Sequence, residues 1–164
     1  VDDFTPFRNI MSEWYARDIS KKIKASMRTK ALSGKHLTGY PVYGYKIDPE
    51  DKYHWIVDEE AAQVVRRVYS MTLEGLGTEQ IAARLSEEQI LTPIAYWRQR
   101  GINRPGKVKQ RGPYMWNAST VTKILTLQEY CGDIINFKTY SKSYKNKRRI
   151  ENDPELRGLL KKEG

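Results

Sequence analysis

The chain has 164 residues, among them one cysteine, Cys131, and two histidines, His36 and His54. A lone thiol permits no internal disulfide, and so few imidazoles assemble no zinc set of the usual ligand types, so neither a metal site nor a cofactor is expected. Cys131 is expected to be a small buried side chain. Long apolar runs are missing as well: nothing approaches the roughly 20 residues of a spanning helix, and no signal peptide is visible. The expectation is a soluble, cytoplasmic chain with no membrane role. The glycines form neither a phosphate loop nor a dinucleotide fingerprint, and no paired-histidine helix occurs. With no nucleophile and base set in sight, an independent enzyme is not expected, and no residue is assigned a catalytic role.

Acidic residues are absent from one long window. Between Glu88 and Glu129 there is none, while Arg98, Arg100, Arg104, Lys107, Lys109, Arg111 and Lys123 all lie inside it. A second run, Lys138 to Arg149, holds Lys138, Lys142, Lys145, Lys147, Arg148 and Arg149 without an acid, whereas acids gather between Asp48 and Glu60. The formal charge is +9, from 29 basic against 20 acidic residues. One-sign runs of this kind point to a polyanion, and the plain alternative is a solvated basic face.

What is present falls into a readable order. Thr5 and Pro6 open a helix that runs without a breaker to Gly34, and Phe7, Met11, Trp14, Tyr15, Ile19, Ile23 and Met27 step along it by three and four. Its second half carries Lys21, Lys22, Lys24, Arg28, Lys30 and Lys35, so it reads either as a bundle core helix or as a protruding arm, apolar first and basic later. Gly39 and Pro41 then break helix, and Val42 to Ile47 and Tyr53 to Val57 read as a hairpin around Asp48-Pro49-Glu50-Asp51. Its aromatics, Tyr40, Tyr43, Tyr45, Tyr53 and Trp55, suit cross-strand packing better than base stacking. Asp58 is expected to cap a structural helix with Val64, Val65, Val68, Tyr69 and Leu73 as its core stripe, ended by Gly75. Thr78 is expected to cap a short helix presenting Ile81, Ala82 and Leu85 inward. Ile94 to Met115, with Gly101, Pro105, Gly106, Gly112 and Pro113 among its basic residues, reads as a long loop.

The stretch "WNASTVTKILTLQEYCGDI" starts a further helix at Asn117, with Val121, Ile124 and Leu125 inward and Lys123 outward. Its first turn carries Ser119, Thr120 and Thr122 where the helix dipole favours Asp or Glu. Small hydroxyls there leave room for a negative partner and can donate to a phosphate or a base edge, although an ordinary cap is the plain alternative. With the helix before it this suggests a helix-turn-helix arrangement whose connection is unusually long.

Taken in order, "EWYARDISKKIKASMRTKALSGKHLTGYPVYGY", "GLGTEQIAARLSEEQILTP" and "WNASTVTKILTLQEYCGDI", with Thr92-Pro93 and Tyr130-x-Gly132, resemble the large serine recombinases, the phage integrases and conjugative-transposon resolvases. The resemblance implies a mainly α fold with small β-hairpins, an α+β class: a long protruding N-terminal helix over 1–34 for interdomain contact and oligomerisation, a helix-turn-helix-like DNA-binding recombinase domain over 35–150, and a linker over 151–164 to a further C-terminal domain. It implies double-stranded attachment-site DNA as partner, self-association into a dimer or tetramer, a bacterial or phage-encoded chain at the nucleoid, and strand cleavage by a serine of a preceding domain. Ser20 and Ser26 are accordingly expected to be helix-surface or interface residues, with Arg17, Lys21 and Lys22 where the family's long helix passes its active site.

The residues expected to meet DNA are Arg28, Lys30, Lys35, His36 and Tyr40 in the minor groove, Asn117, Ser119, Thr120, Thr122 and Lys123 in the major groove, and Arg98, Arg100, Arg104, Lys107, Lys109 and Arg111 on the adjacent backbone. Phe7, Met11 and Trp14 are expected to carry self-association. A winged-helix transcriptional regulator and an RNA-binding protein remain the alternative readings.

Overall fold

The computed structural model describes residues 5–104, 112–141, 148–153 and the backbone of 159–160, and the described chain divides into two compact units, 1–37 with 132–164 and 38–131. Lys107, Lys109 and Arg111 lie outside the described residues, as do Lys142, Lys145, Lys147 and most of 151–164. As expected, the chain is mainly helical with small antiparallel hairpins and begins with a long helix.

In the first unit, helix α1 spans Thr5–Leu32. Ion pairs four residues apart, Glu13 with Arg17 at 3.2 Å and Asp18 with Lys22 at 2.8 Å, brace its exposed surface. The helix closes where Gly34 takes φ +79°, a left-handed conformation open to glycine, and the Lys35 amide reaches back to the Lys30 carbonyl at 3.2 Å. Buried Asn136 then fixes the outgoing chain: its amide donates to the Lys35 carbonyl at 3.0 Å and its oxygen accepts from the Leu37 amide at 3.2 Å. Short antiparallel pairs follow, β3 (Ile134–Ile135) with β6 (Leu159–Leu160) and β4 (Thr139–Ser141) with β5 (Arg149–Glu151).

The second unit has three helices at its centre. Strands β1 (Tyr45–Ile47) and β2 (Trp55–Val57) form the expected hairpin in the register Tyr45 to Val57, shorter at its start than the sequence suggests. Gly44, at φ +97°, lets the hairpin lie on helix α2 (Glu59–Leu73), because a Cβ there would meet Val65 Cγ2 at 3.3 Å and Ala62 Cα at 3.6 Å. Helix α3 (Thr78–Glu87) packs on α5 (Ala118–Thr126), and both pack on α2. Val68, Ile81, Leu85 and Val121 are completely buried between them. Burying four such side chains removes the apolar faces of three amphipathic helices from water, about 2 kcal/mol for each side chain.

Four local expectations are corrected. Asp58 precedes α2, but its carboxylate accepts from the Tyr96 hydroxyl at 2.8 Å and leaves the helix amides uncapped. Thr78 is the first residue of α3, not its cap; Gly77 precedes the helix, and its amide donates to the Gln80 side chain at 2.9 Å. Leu73 stands 90% exposed, because two residues of helix, about 200° of turn, carry it to the face opposite buried Met71. Cys131 is exposed, on the 3-10 turn Gln128–Cys131 that follows α5.

The segment read as a loop also differs. Pro93–Gln99 forms a helix, α4, with Pro93 at its first position and the Thr92 hydroxyl accepting from the Ala95 amide at 3.4 Å. The Thr92 amide bonds the Pro113 carbonyl at 2.8 Å, so the two ends of this excursion meet at its base. Its length therefore does not hold α3 and α5 apart.

Candidate nucleic-acid interface

Helix α5 is held rigidly from one side only. Val121 and Ile124 are buried, Leu125 packs against the core, and the Ile124 carbonyl accepts from the Tyr69 hydroxyl at 3.2 Å. Trp116 anchors the approach to the helix: its amide donates to the Ser86 hydroxyl at 3.0 Å and its indole nitrogen to the Ile90 carbonyl at 2.9 Å. Opposite lie Ser119, Thr122, Lys123 and Thr126, spaced by three and four and all exposed. The first turn holds no acid.

Two residues of the expected reading set are joined in the cap. The Asn117 side-chain oxygen accepts from the Thr120 amide at 2.8 Å and from the Thr120 hydroxyl at 3.1 Å. The Thr120 hydroxyl hydrogen is thus committed to the helix terminus, leaving its lone pairs available as acceptors. Ser119, Thr122 and Lys123 project from α5 without a side-chain partner among the described residues.

The basic residues of the excursion have more varied surroundings. Arg98 is exposed on α4. Arg100 pairs with Glu60 and lies over the Tyr96 ring, its guanidinium carbon 3.7 Å from the centroid. Arg104 lies 3.4 Å from the Trp97 centroid and 5.6 Å from that of Tyr40, and donates to the Pro41 carbonyl. Burial pushes its guanidinium down to about 10, which leaves it charged at neutral pH.

Around these side chains lies an aromatic frame that the sequence does not announce. Tyr43, 4% exposed, meets Tyr96, Trp97 and Trp116 edge-on at 5.5, 6.0 and 6.4 Å. Tyr45 stacks on Tyr130 at 6.2 Å, and the Tyr130 hydroxyl donates to the Tyr43 carbonyl at 2.6 Å. Burial raises Tyr43 and Tyr130 well above the usual phenol range. These rings pack the core, while across the hairpin itself Tyr45 meets Trp55 at 6.5 Å, and of the hairpin region's tyrosines Tyr40 stands exposed. Its partners come from positions far apart in sequence, for which no periodic signal exists.

In the other unit, Arg28, Lys30 and Lys35 are exposed and His36 is half-buried beyond the end of α1. Phe7, Met11 and Trp14 are 64%, 40% and 58% exposed. A groove of about 450 Å³ in the second unit is lined by Tyr45, Val65, Tyr69 and Tyr130 and holds no base and nucleophile set. Among the described residues no cluster of metal-ligating side chains occurs, and no helix is long and apolar enough to cross a membrane.

No curated protein and no solved structure matches the chain. A family model described as Recombinase matches residues 59–159, which takes in α2 to α5 and the strands after them.

Proposed function

The chain belongs to the Recombinase family, with a role in site-specific recombination, and on that footing we propose that it binds duplex DNA at the attachment sites of a mobile element. In this reading it serves a serine recombinase that integrates or excises the element at the bacterial nucleoid. Helices α3 and α5 act as a helix-turn-helix, and α5 enters the major groove. Ser119, Thr122 and Lys123 meet base edges or the flanking phosphates. Asn117 and Thr120 hold the helix terminus open toward them.

The observation that carries the reading is the two-sided character of α5. One face is locked into the core by Val121 and Ile124, and the other offers hydroxyls and an ammonium with no acid in the first turn. A rigid helix whose outer face is small, polar and cationic suits a groove lined with acceptors and phosphates. Arg98 and the segment with Lys107, Lys109 and Arg111 take the adjacent backbone. Arg28, Lys30, Lys35, His36 and Tyr40 follow the minor groove, while Phe7, Met11 and Trp14 join copies of the chain.

Footprinting on the element's ends tests this. The chain should protect a defined half-site, and Thr122→Ala with Lys123→Ala should erase the protection while leaving the fold intact by circular dichroism. Equal coating of any duplex would sink the sequence-reading part.

A further inference from the structure

The threonine hydroxyls of α5 are committed to different degrees. Thr122 has no side-chain partner among the described residues, whereas Thr126 turns its hydroxyl onto the backbone: Oγ1 donates to the Thr122 carbonyl at 2.9 Å and lies 3.4 Å from the Lys123 carbonyl. The helix ends at this residue. The next amide, that of Leu127, bonds the Ile124 carbonyl at 3.4 Å, so the hydroxyl serves a last turn that is short of amides. Thr126 is itself exposed. With its one hydroxyl hydrogen turned back along the helix, it presents outward the other branch at Cβ, a methyl group. Serine would supply the same hydroxyl, and the methyl group is what threonine adds.

We propose that Thr126 makes α5 a reader of thymine, its methyl group packing on the C5 methyl group of one thymine in the half-site. This rests on the reading of α5 as the major-groove helix. Thr126 follows Lys123 by three residues and Thr122 by four, on the face turned away from the core. The apolar feature that base pairs display in that groove is the thymine methyl group, and the other marks are donors and acceptors. A side chain whose donor is committed and whose methyl group is bare therefore suits a T·A pair and gains nothing from G·C. The Thr126 oxygen keeps its lone pairs, so acceptance from an adenine or cytosine amine is the competing readout. Serine would accept equally well, which separates the two.

The test is half-site binding by the whole chain at one salt concentration, with each thymine replaced in turn by deoxyuridine, which keeps the hydrogen-bonding groups of the base and lacks only the methyl group. The wild-type chain should prefer thymine over uracil at one position by about fourfold, the worth of one buried methyl-sized group. Thr126→Ser, which keeps the hydroxyl and its backbone bonds, should abolish that preference at that position alone, and Thr126→Val should retain it. Indifference of the wild-type chain to every replacement, or a preference that persists in Thr126→Ser, would overturn the proposal while leaving α5 in the groove. A wild-type chain that binds the half-site no better than random duplex would overturn the major-groove reading as well.

Discussion

Asn117 shows how one side chain can serve the fold and the proposed site together. Its oxygen accepts from both the amide and the hydroxyl of Thr120. Asn117→Ala should destabilise the chain by about 1 kcal/mol, measured as a lower midpoint in urea. The hydroxyl-rich start of α5 is visible in sequence, but the division of labour within it is not: Thr120 belongs to the cap, and Ser119 and Thr122 face outward. At Tyr130 the hydroxyl donates to the Tyr43 carbonyl at 2.6 Å, and Tyr130→Phe should cost about 1 kcal/mol in the same assay. Tyr43 and Tyr130 also make alkaline stability informative. Both folded phenols titrate above their unfolded value, mainly through burial, so the folded chain holds more protons once pH exceeds the ordinary phenol range. Their contribution is therefore full at neutral pH and lost as pH rises beyond about 10. Arg104, pushed down to about 10, acts in the opposite sense over its own range, and the four phenols raised by burial, Tyr43, Tyr69, Tyr96 and Tyr130, against this one guanidinium leave a net fall. A midpoint that rises from pH 9 to 11 would contradict this.

At the scale of elements, periodicity revealed what it can reveal. Ile81, Ala82 and Leu85 of α3 and Val121, Ile124 and Leu125 of α5 face inward as their spacing implies. Ile124→Ala should cost about 3 kcal/mol in thermal or urea unfolding, since its site in the helix layer is closely packed. Helix α4 was not legible because its seven residues make too few turns for a period to emerge, and the glycines and prolines after it favour a loop reading. Cys131 was misjudged because a thiol's general preference for burial says nothing about a turn at the rim of a unit. Nor could sequence pair Arg100 with Glu60 or bring Trp97 and Tyr40 each beside Arg104, contacts that form only after the chain has folded. In α1, Phe7, Met11 and Trp14 keep a four-three spacing along one line, while Tyr15, Ile19, Ile23 and Met27 step by four and so precess by about 40° each. The straight part of the stripe is the better seam. Met11→Ala with Trp14→Ala should convert any self-associated form to monomer in sedimentation; persistence of the larger species would place the interface elsewhere.

For the whole molecule, charge and fold act on different properties. The net charge of +9 drives association with any polyanion, and if about six phosphates are neutralised the slope of log affinity against log salt should be near −5. That term carries no sequence information, so the central claim, that α5 reads base edges in the major groove, needs a probe of the groove itself. The most direct is methylation interference on the element's half-site, in which methyl groups at guanine N7 project into the major groove. The account predicts that methylation at a short run of guanines blocks binding, and that Lys123→Ala or Thr122→Ala relieves the block at individual positions. Binding that is indifferent to every N7 methyl group would contradict it and leave only attraction to the phosphate backbone.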